Sequence, residues 1–435
     1  MIFLLVLAVI ATAGASAGTA AAVSSPQKNV LENGLTVITQ KDDASAIAVL
    51  EIVIKGGQRA ETPGKEGLSY LATRLSMDIP DQSTVQDFMA KALHYSMATR
   101  SDASVIHLEC LTEFFDEMLG TFLEILTDPL FTNIRIDRIK DFMDHQRRIQ
   151  GDDAVNVGRT AHLEAFFKGS GYAGLTYGTE ASLKAIKTKD TKEFYDRYFV
   201  AGNMALVAVS NLDNAEMQAL LAKRFGPFRS APATAGGAAS LPSVTPVPPA
   251  ASPRVIEKDS RQNFVGAAFV LPAATRRGFV LQFLVENTLG KGPGSRLWTL
   301  RTDQKLAYNV TAAVTPMKDA GILEAFLETA PEKAVPAREA LSRILYDFYE
   351  KGLTAEELET GKIELKASFI RTNEIKSSRT STLGTMEALG IGADLFATFA
   401  DEIEAVTLDE ANAFIRSFLK PEAASWVIVG PKATK

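Results

Sequence analysis

The sequence predicts an α+β protein of two homologous domains, each a mostly antiparallel sheet with helices packed on one face. Three observations carry this. At 435 residues the chain exceeds what one hydrophobic core usually organises. Residues 229–253 are rich in Ala, Pro, Gly and Ser and include Pro246-Val247-Pro248-Pro249-Ala250, the composition of an extended, semi-rigid linker. The blocks on either side, residues 28–228 and 254–433, run through the same order of segments.

Each block opens on an apolar run of strand length, residues 47–54 in the first and 264–271 in the second. Long amphipathic stretches follow. In the first block they are residues 83–93, 111–126 and 134–150, with apolar residues at helical spacing. Each block then closes on a helix, an aromatic residue and a strand: residues 190–199 then 204–209, and residues 409–418 then 426–429. In Gly352-Leu353-Thr354-Ala355-Glu356-Glu357-Leu358, Thr354 is an N-cap and Glu357 completes a capping box. Strands followed by runs of helices give α+β domains rather than a parallel α/β sheet.

Composition excludes some function classes. A net charge of −6, with no basic run, argues against nucleic acid as a partner. Residues 2–13 are apolar, and Ala15-Ser16-Ala17 and Ala20-Ala21-Ala22 both fit an A-x-A cleavage site. The expectation is a signal peptide over residues 1–22 and a periplasmic mature chain with no membrane span. No Lys or Arg precedes the apolar run, which leaves a misplaced start or an n-region made of the terminal amine alone; the rival reading is an uncleaved anchor. The single cysteine, Cys110, allows no internal disulfide and reads as a small buried hydrophobe.

Several chemistries lack their residues. There is no Gly-x-Ser-x-Gly elbow for a serine hydrolase. Gly290, Gly292 and Gly294 form a glycine loop, but Pro293 removes an amide donor and no Gly-Lys-Ser/Thr follows. Bare backbone there suits the close approach of an extended substrate better than a phosphate. No two of His94, His107, His145 and His162 are three to five residues apart, so no helical histidine pair exists. Each reads as a surface or hydrogen-bonded core position. Phe166-Phe167 beside His162 reads as helix core.

Some motifs are weak singly and specific in their order. They are Leu31-Glu32-Asn33-Gly34-Leu35, the glycine turn at Gly56-Gly57 before a helix starting at Gly67, Tyr177-Gly178-Thr179-Glu180, and the segment from Gly352 to Leu358. Over roughly residues 28–431 they resemble the M16 (pitrilysin-like, processing-peptidase-like) metallopeptidases. In that family the glycine turn leads into a helix bearing His-x-x-Glu-His. The matching positions here are Tyr70, Thr73 and Arg74. A zinc helix needs two imidazoles one turn apart and a carboxylate to take a proton from the bound water. None is present, and Arg74 puts a fixed positive charge where the cation would sit. The family's downstream glutamate falls near Gln146 or Arg147. The neighbouring Asp144–His145 pair does not make a zinc site alone.

The resemblance also implies a site in the second block. Leu289-Gly290-Lys291-Gly292-Pro293-Gly294-Ser295-Arg296-Leu297-Trp298, followed by Leu306-Ala307-Tyr308, is similar to the family's glycine loop, Ser-Arg-Leu helix and Leu-Ala-Tyr strand start. There the arginine and tyrosine act across the molecule on substrate backbone and oxyanion. Arg296 and Tyr308 hold those positions, with Gly290, Gly292, Gly294 and Ser295 as substrate-binding loop. Apart from the resemblance, Arg296 reads as a surface charge and Tyr308 as a strand aromatic. The expected protein is the zinc-less subunit of a heterodimeric M16 peptidase. It would hold no cofactor itself, form half of a clamshell chamber, and offer Arg296 and Tyr308 to a zinc-bearing partner that cleaves peptides. The alternatives are a purely structural or peptide-binding subunit, and an enzyme with a relocated metal site.

Overall fold

Nine residues, Ile47–Lys55, form a strand that is buried on both faces. Ala48, Leu50, Ile52 and Ile54 point into one core, and Val53 enters a second core on the opposite side. A half-solvated strand would alternate apolar and polar residues; this one does not, because both sides are covered. The computed structural model describes residues 24–230 and 241–431. The expected signal peptide and the middle of the linker lie outside the described residues.

The first half runs β1 (Gln27–Val30), β2 (Thr36–Lys41), β3 (Ile47–Lys55), α1 (Leu68–Leu75), α2 (Gln82–Ala90), β4 (His94–Thr99), β5 (Ala103–Leu111), α3 (Thr112–Thr127), α4 (Asn133–Asp152), α5 (Ala154–Phe167), α6 (Glu180–Ala185), α7 (Thr188–Tyr198), β6 (Met204–Ser210) and α8 (Asn214–Phe225). Its sheet has the order β1-β2-β6-β3-β5-β4, and only β2 and β6 pair in parallel. The second half runs β7 (Arg254–Glu257), β8 (Asn263–Leu271), α9 (Arg276–Gly290), α10 (Thr299–Thr302), β9 (Asn309–Thr315), β10 (Gly321–Thr329), α11 (Ala334–Lys351), α12 (Ala355–Thr372), α13 (Lys376–Leu389), α14 (Leu395–Glu404), α15 (Leu408–Phe418) and β11 (Ser425–Gly430). Its sheet, β7-β11-β8-β10-β9, repeats the strand order of the first from β2 onward, including the one parallel pair. The duplication is therefore structural. Each half opens earlier than its first apolar run, with β1 and β2 or with β7. β1 and β7 are short and largely exposed, so they carry little hydrophobic pattern. Thr354 and Glu357 form the expected capping box at the start of α12.

Each half packs its own helices on one face of its sheet, and each lends one helix to the other half. α13 lies across β3 and β6, and α5 lies across β8 and β11. Two glycines permit this. A Cβ on Gly384 of α13 would come within 2.4 Å of the Glu51 carboxylate, and one on Gly158 of α5 within 2.3 Å of the Phe264 ring. Leu383 of α13 is fully buried against the first sheet; burial of that kind contributes about 2 kcal/mol. Polar groups complete the clasp. Arg379 Nη1 meets Asp42 Oδ2 at 2.7 Å with both side chains buried. Lys376 Nζ donates to the carbonyls of Ser45 and Ile47, at 2.6 and 3.0 Å. Glu387 takes Lys28 and Lys55, at 2.7 and 3.0 Å. The latter part of the linker is pinned along the same seam. Pro242 O accepts from Arg59 Nε, Val244 N donates to Asp319 Oδ2, and Val247 N donates to Phe166 O, each at 2.8 Å.

Glu51 is the polar exception on β3. It faces α13, and its Oε1 has no hydrogen-bond partner among the described residues. Burial pushes its carboxyl up to about 7, against the pull of Arg100. The folded chain thus holds a proton there that the unfolded chain releases near pH 4.5. Stability from this site is full below about pH 4.5 and falls as pH rises through 7. We expect the stability difference between the wild-type chain and Glu51→Gln to shift by about 3 kcal/mol in favour of the variant from pH 4.5 to 8. Denaturant titrations at fixed pH values measure it. A pH-independent difference would show that Glu51 is ionised throughout.

Candidate functional site: a helix without metal ligands

α1 begins at Gly67, which sits in the left-handed region at φ 91° and brings no capping side chain. Glu61 caps the helix from outside. Its carboxylate accepts from the Gly67 and Ser69 amides, at 3.2 and 2.9 Å, and from Ser69 Oγ at 2.5 Å. Burial nonetheless pushes Glu61 up to about 8. Sequence reading passed over Glu61, since a cap six to eight residues upstream matches no helix-start pattern.

The three motif positions have been turned to other uses. Tyr70 is buried and meets Tyr177 edge-on, with ring centroids 4.9 Å apart. Burial raises the Tyr70 hydroxyl to about 12, so it does not ionise to bind a metal. Thr73 is 0 % exposed, and its hydroxyl donates to Ser69 O at 2.8 Å. A general base cannot act from that position, because no water or substrate reaches it. Arg74 lies 3.9 Å from Asp78, which is also held by Arg135 and Arg138 at 2.6 Å each. Three guanidinium groups around one carboxylate leave this region positive, which disfavours a cation.

On α4, Arg147 pairs with Asp144 at 2.5 Å, and Arg148 takes the other oxygen of that carboxylate at 2.6 Å. Gln146 lies on the same helix. The histidines are dispersed over β4, β5, α4 and α5. His162 is buried, with Nδ1 3.3 Å from Ser425 Oγ, and burial lowers it to about 3. Cys110 is buried, and burial raises its thiol to about 11. Among the described residues no group of three His, Cys, Asp or Glu is placed to hold a metal ion. A phenol, a buried threonine and an arginine do not fit the zinc ion that the family resemblance implies.

The second-block residues Arg296 and Tyr308 lie on either side of α10 and make different contacts. Arg296 starts a single helical turn, Arg296–Trp298. Its Nε and Nη2 form a two-pronged pair with Glu357, each at 2.7 Å, Nη2 also donates to Gly352 O at 2.5 Å, and the guanidinium lies 4.9 Å from the Phe348 ring. This arginine ties the glycine loop to the start of α12, and the pairing holds the Glu357 carboxyl below its usual range. Only Nη1 makes no hydrogen bond among the described residues. Tyr308 is 75 % exposed. Arg301, which sequence reading did not single out, lies over both Trp298 and Tyr308, at 4.8 and 5.3 Å from the ring centroids. Gly290 is buried at the end of α9, where a Cβ would meet the Ala312 amide nitrogen at 2.2 Å. Gly292 and Gly294 are exposed, and Ser295 closes the loop on Gly292 O at 2.7 Å.

The family model described as Insulinase (Peptidase family M16) matches residues 36–180, and the one described as Peptidase M16 inactive domain matches residues 185–365. A non-peptidase homolog, YmxG, from Helicobacter pylori is 24% identical over 406 residues, covering 91% of this chain and 92% of that protein. An uncharacterized zinc protease of Mycobacterium tuberculosis is also 24% identical, over 438 residues, with 95% of each covered. Among solved structures, a peptidase M16 inactive domain from Pseudomonas fluorescens superposes with a TM-score of 0.85 at 20% identity, over 95% of this chain and 99% of that one. A chain of Complex III2 from Candida albicans superposes with a TM-score of 0.79 at 14% identity, over 93% and 95%. The chain belongs to the M16 peptidase family, as a member without metal ligands on the helix where that family's zinc motif lies.

Proposed function

We propose that this chain is the zinc-less subunit of a heterodimeric M16 peptidase. It closes the peptide chamber and presents Tyr308 to the zinc site of a partner chain bearing His-x-x-Glu-His. The observation that carries this reading is the contrast between the two candidate sites. The α1 positions are filled and partly buried, whereas Tyr308 stands exposed beside Arg301. A phenol held this way can donate to an oxyanion that develops on a bound peptide. Arg296 holds the loop through Glu357 and keeps Nη1 for a substrate carbonyl. Peptides are the substrate class, the zinc belongs to the partner, and the mature chain works in the periplasm.

In the reconstituted pair, Tyr308→Phe lowers kcat by about 10²–10³-fold, the usual loss for one oxyanion donor, with assembly intact. Arg296→Ala raises KM and also lowers the melting temperature, because it frees Glu357 and Gly352 O together. Steady-state kinetics beside thermal melts of the same samples separate the two effects. The second reading, a purely structural or peptide-binding subunit, draws on the engagement of Arg296 with Glu357, which leaves one terminal nitrogen for substrate. On that reading Tyr308→Phe is silent in kcat.

A further inference from the structure

The approach to Tyr308 holds a strained residue. Lys305 sits at φ 51°, in the left-handed region, and the only other non-glycine residue there among the described residues is Ala92. A side chain in that region crowds its own backbone, so the conformation lasts only where the surroundings enforce it. Three hydrogen bonds do so. Leu306 N donates to Leu300 O at 2.9 Å. Lys333 Nζ, just ahead of α11, donates to Lys305 O at 3.0 Å. Thr329 Oγ1 donates to Leu306 O at 2.5 Å. Of the two side chains involved, Lys333 is exposed and only Thr329 is buried.

Thr329 is the last residue of β10, and it acts where the sheet runs out. β9 pairs with β10 as far as Asn309, which lies opposite Glu328. One residue further, Tyr308 N still donates to Glu328 O, at a longer 3.3 Å. Leu306 and Ala307 make no backbone bond to β10 among the described residues. The Thr329 hydroxyl takes over there, and it joins the end of the sheet to the segment that leads into Tyr308. Leu306 and Ala307 also pack against the second core.

We propose that Thr329 positions Tyr308, an inference that rests on the role proposed above for that phenol at the partner's zinc site. The Thr329 hydroxyl holds the Leu306 carbonyl, keeps the strained turn closed, and so fixes where the phenol stands two residues later. Thr329 itself is too enclosed to touch a peptide. An oxyanion donor must stand about 2.7–3.1 Å from the developing charge. A misplacement of about 1 Å can cost on the order of 10²-fold in rate. Without the hydroxyl, the Leu306 carbonyl loses its partner and the turn at Lys305 relaxes toward an unstrained conformation. Tyr308 then spends less time in place. The effect falls on kcat, because the oxyanion exists only in the transition state.

The test is steady-state kinetics of the reconstituted pair carrying Thr329→Val, Thr329→Ser, Tyr308→Phe, or Thr329→Val with Tyr308→Phe. Valine keeps the branched shape and replaces the hydroxyl by a methyl group; serine keeps the hydroxyl. We expect Thr329→Val to lower kcat about tenfold with KM within about twofold, since the donor is displaced for part of the time rather than removed. Thr329→Ser stays within about twofold of wild type. The double variant is no slower than Tyr308→Phe alone, because the hydroxyl acts only through the phenol. Hydrogen exchange of the isolated chain reads the same contact without a partner. The Leu306 and Tyr308 amides exchange faster in Thr329→Val, while those of β8 do not. If Thr329→Val does not fold, Thr329→Ala removes the same hydroxyl and carries the same expectations. Unchanged kcat in Thr329→Val beside a loss of about 10²-fold or more in Tyr308→Phe would overturn the inference and leave the role of Tyr308 standing. A further loss in the double variant would do the same. A silent Tyr308→Phe would sink both.

Discussion

Tyr70→His, Thr73→Glu and Arg74→His, made together, leave the isolated chain without stoichiometric zinc and without cleavage, and destabilise it by about 3–5 kcal/mol. The cost comes mostly from position 73. Thr73 is fully enclosed, and its hydroxyl is satisfied within its own helix. A carboxylate there is longer, has no donor waiting, and must either ionise in the core or take up a proton. Tyr70→His also removes the edge-on contact with Tyr177. Metal binding cannot offset this, because among the described residues no group of three His, Cys, Asp or Glu is placed to hold a metal ion, so a third ligand is missing as well. Metal analysis after a chelator wash, beside a denaturant melt, checks both halves. Near-equimolar zinc with cleavage abolished by chelation would contradict it.

Arg379→Ala lowers stability by about 3–5 kcal/mol, the usual cost of orphaning one member of a buried ion pair. Asp42 lies under α13, where burial works to raise its carboxyl, but donors from the Ala44 amide and Arg379 hold it low. Without Arg379, burial is left with less opposition and Asp42 loses part of what holds it ionised. Arg379 also donates to the carbonyls of Asn373 and Glu374, so the turn into α13 loosens with it. Arg379→Met with Asp42→Leu recovers much of the loss, since an apolar pair of similar volume carries no unpaired charge. Equilibrium denaturation of the three variants measures this. A loss under 1 kcal/mol for Arg379→Ala would mean that the two halves are held chiefly by apolar contact.

The duplication was legible because its carriers are local. The apolar runs at β3 and β8, the closing helix–strand pairs and the capping box at Thr354 all announce themselves within a few residues. The loss of metal ligands at Tyr70, Thr73 and Arg74 was equally legible, since ligand chemistry depends on residue type. The exchange of α5 and α13 was not. Their partners lie far away in sequence, and what permits the packing is the absence of a side chain at Gly158 and Gly384. One signal pointed there. Glu51 and Glu324 each interrupt an apolar run within a strand, and both face the seam between the halves. The role of Arg296 shows the limit of motif matching: the motif gives the residue, whereas Glu357, 61 residues on, sets where its charge is spent.

On the proposed function, this chain contributes to peptide cleavage only beside a zinc-bearing partner. The direct measurement is cleavage of a quenched-fluorescent peptide by three preparations: this chain alone, an M16 chain with intact His-x-x-Glu-His alone, and the two co-expressed and co-purified. The expected result is no turnover from this chain, little from the partner, and chelator-sensitive turnover from the pair, with one zinc per heterodimer. Full activity of the partner alone, unchanged by this chain, or chelator-sensitive cleavage by this chain alone, would contradict it.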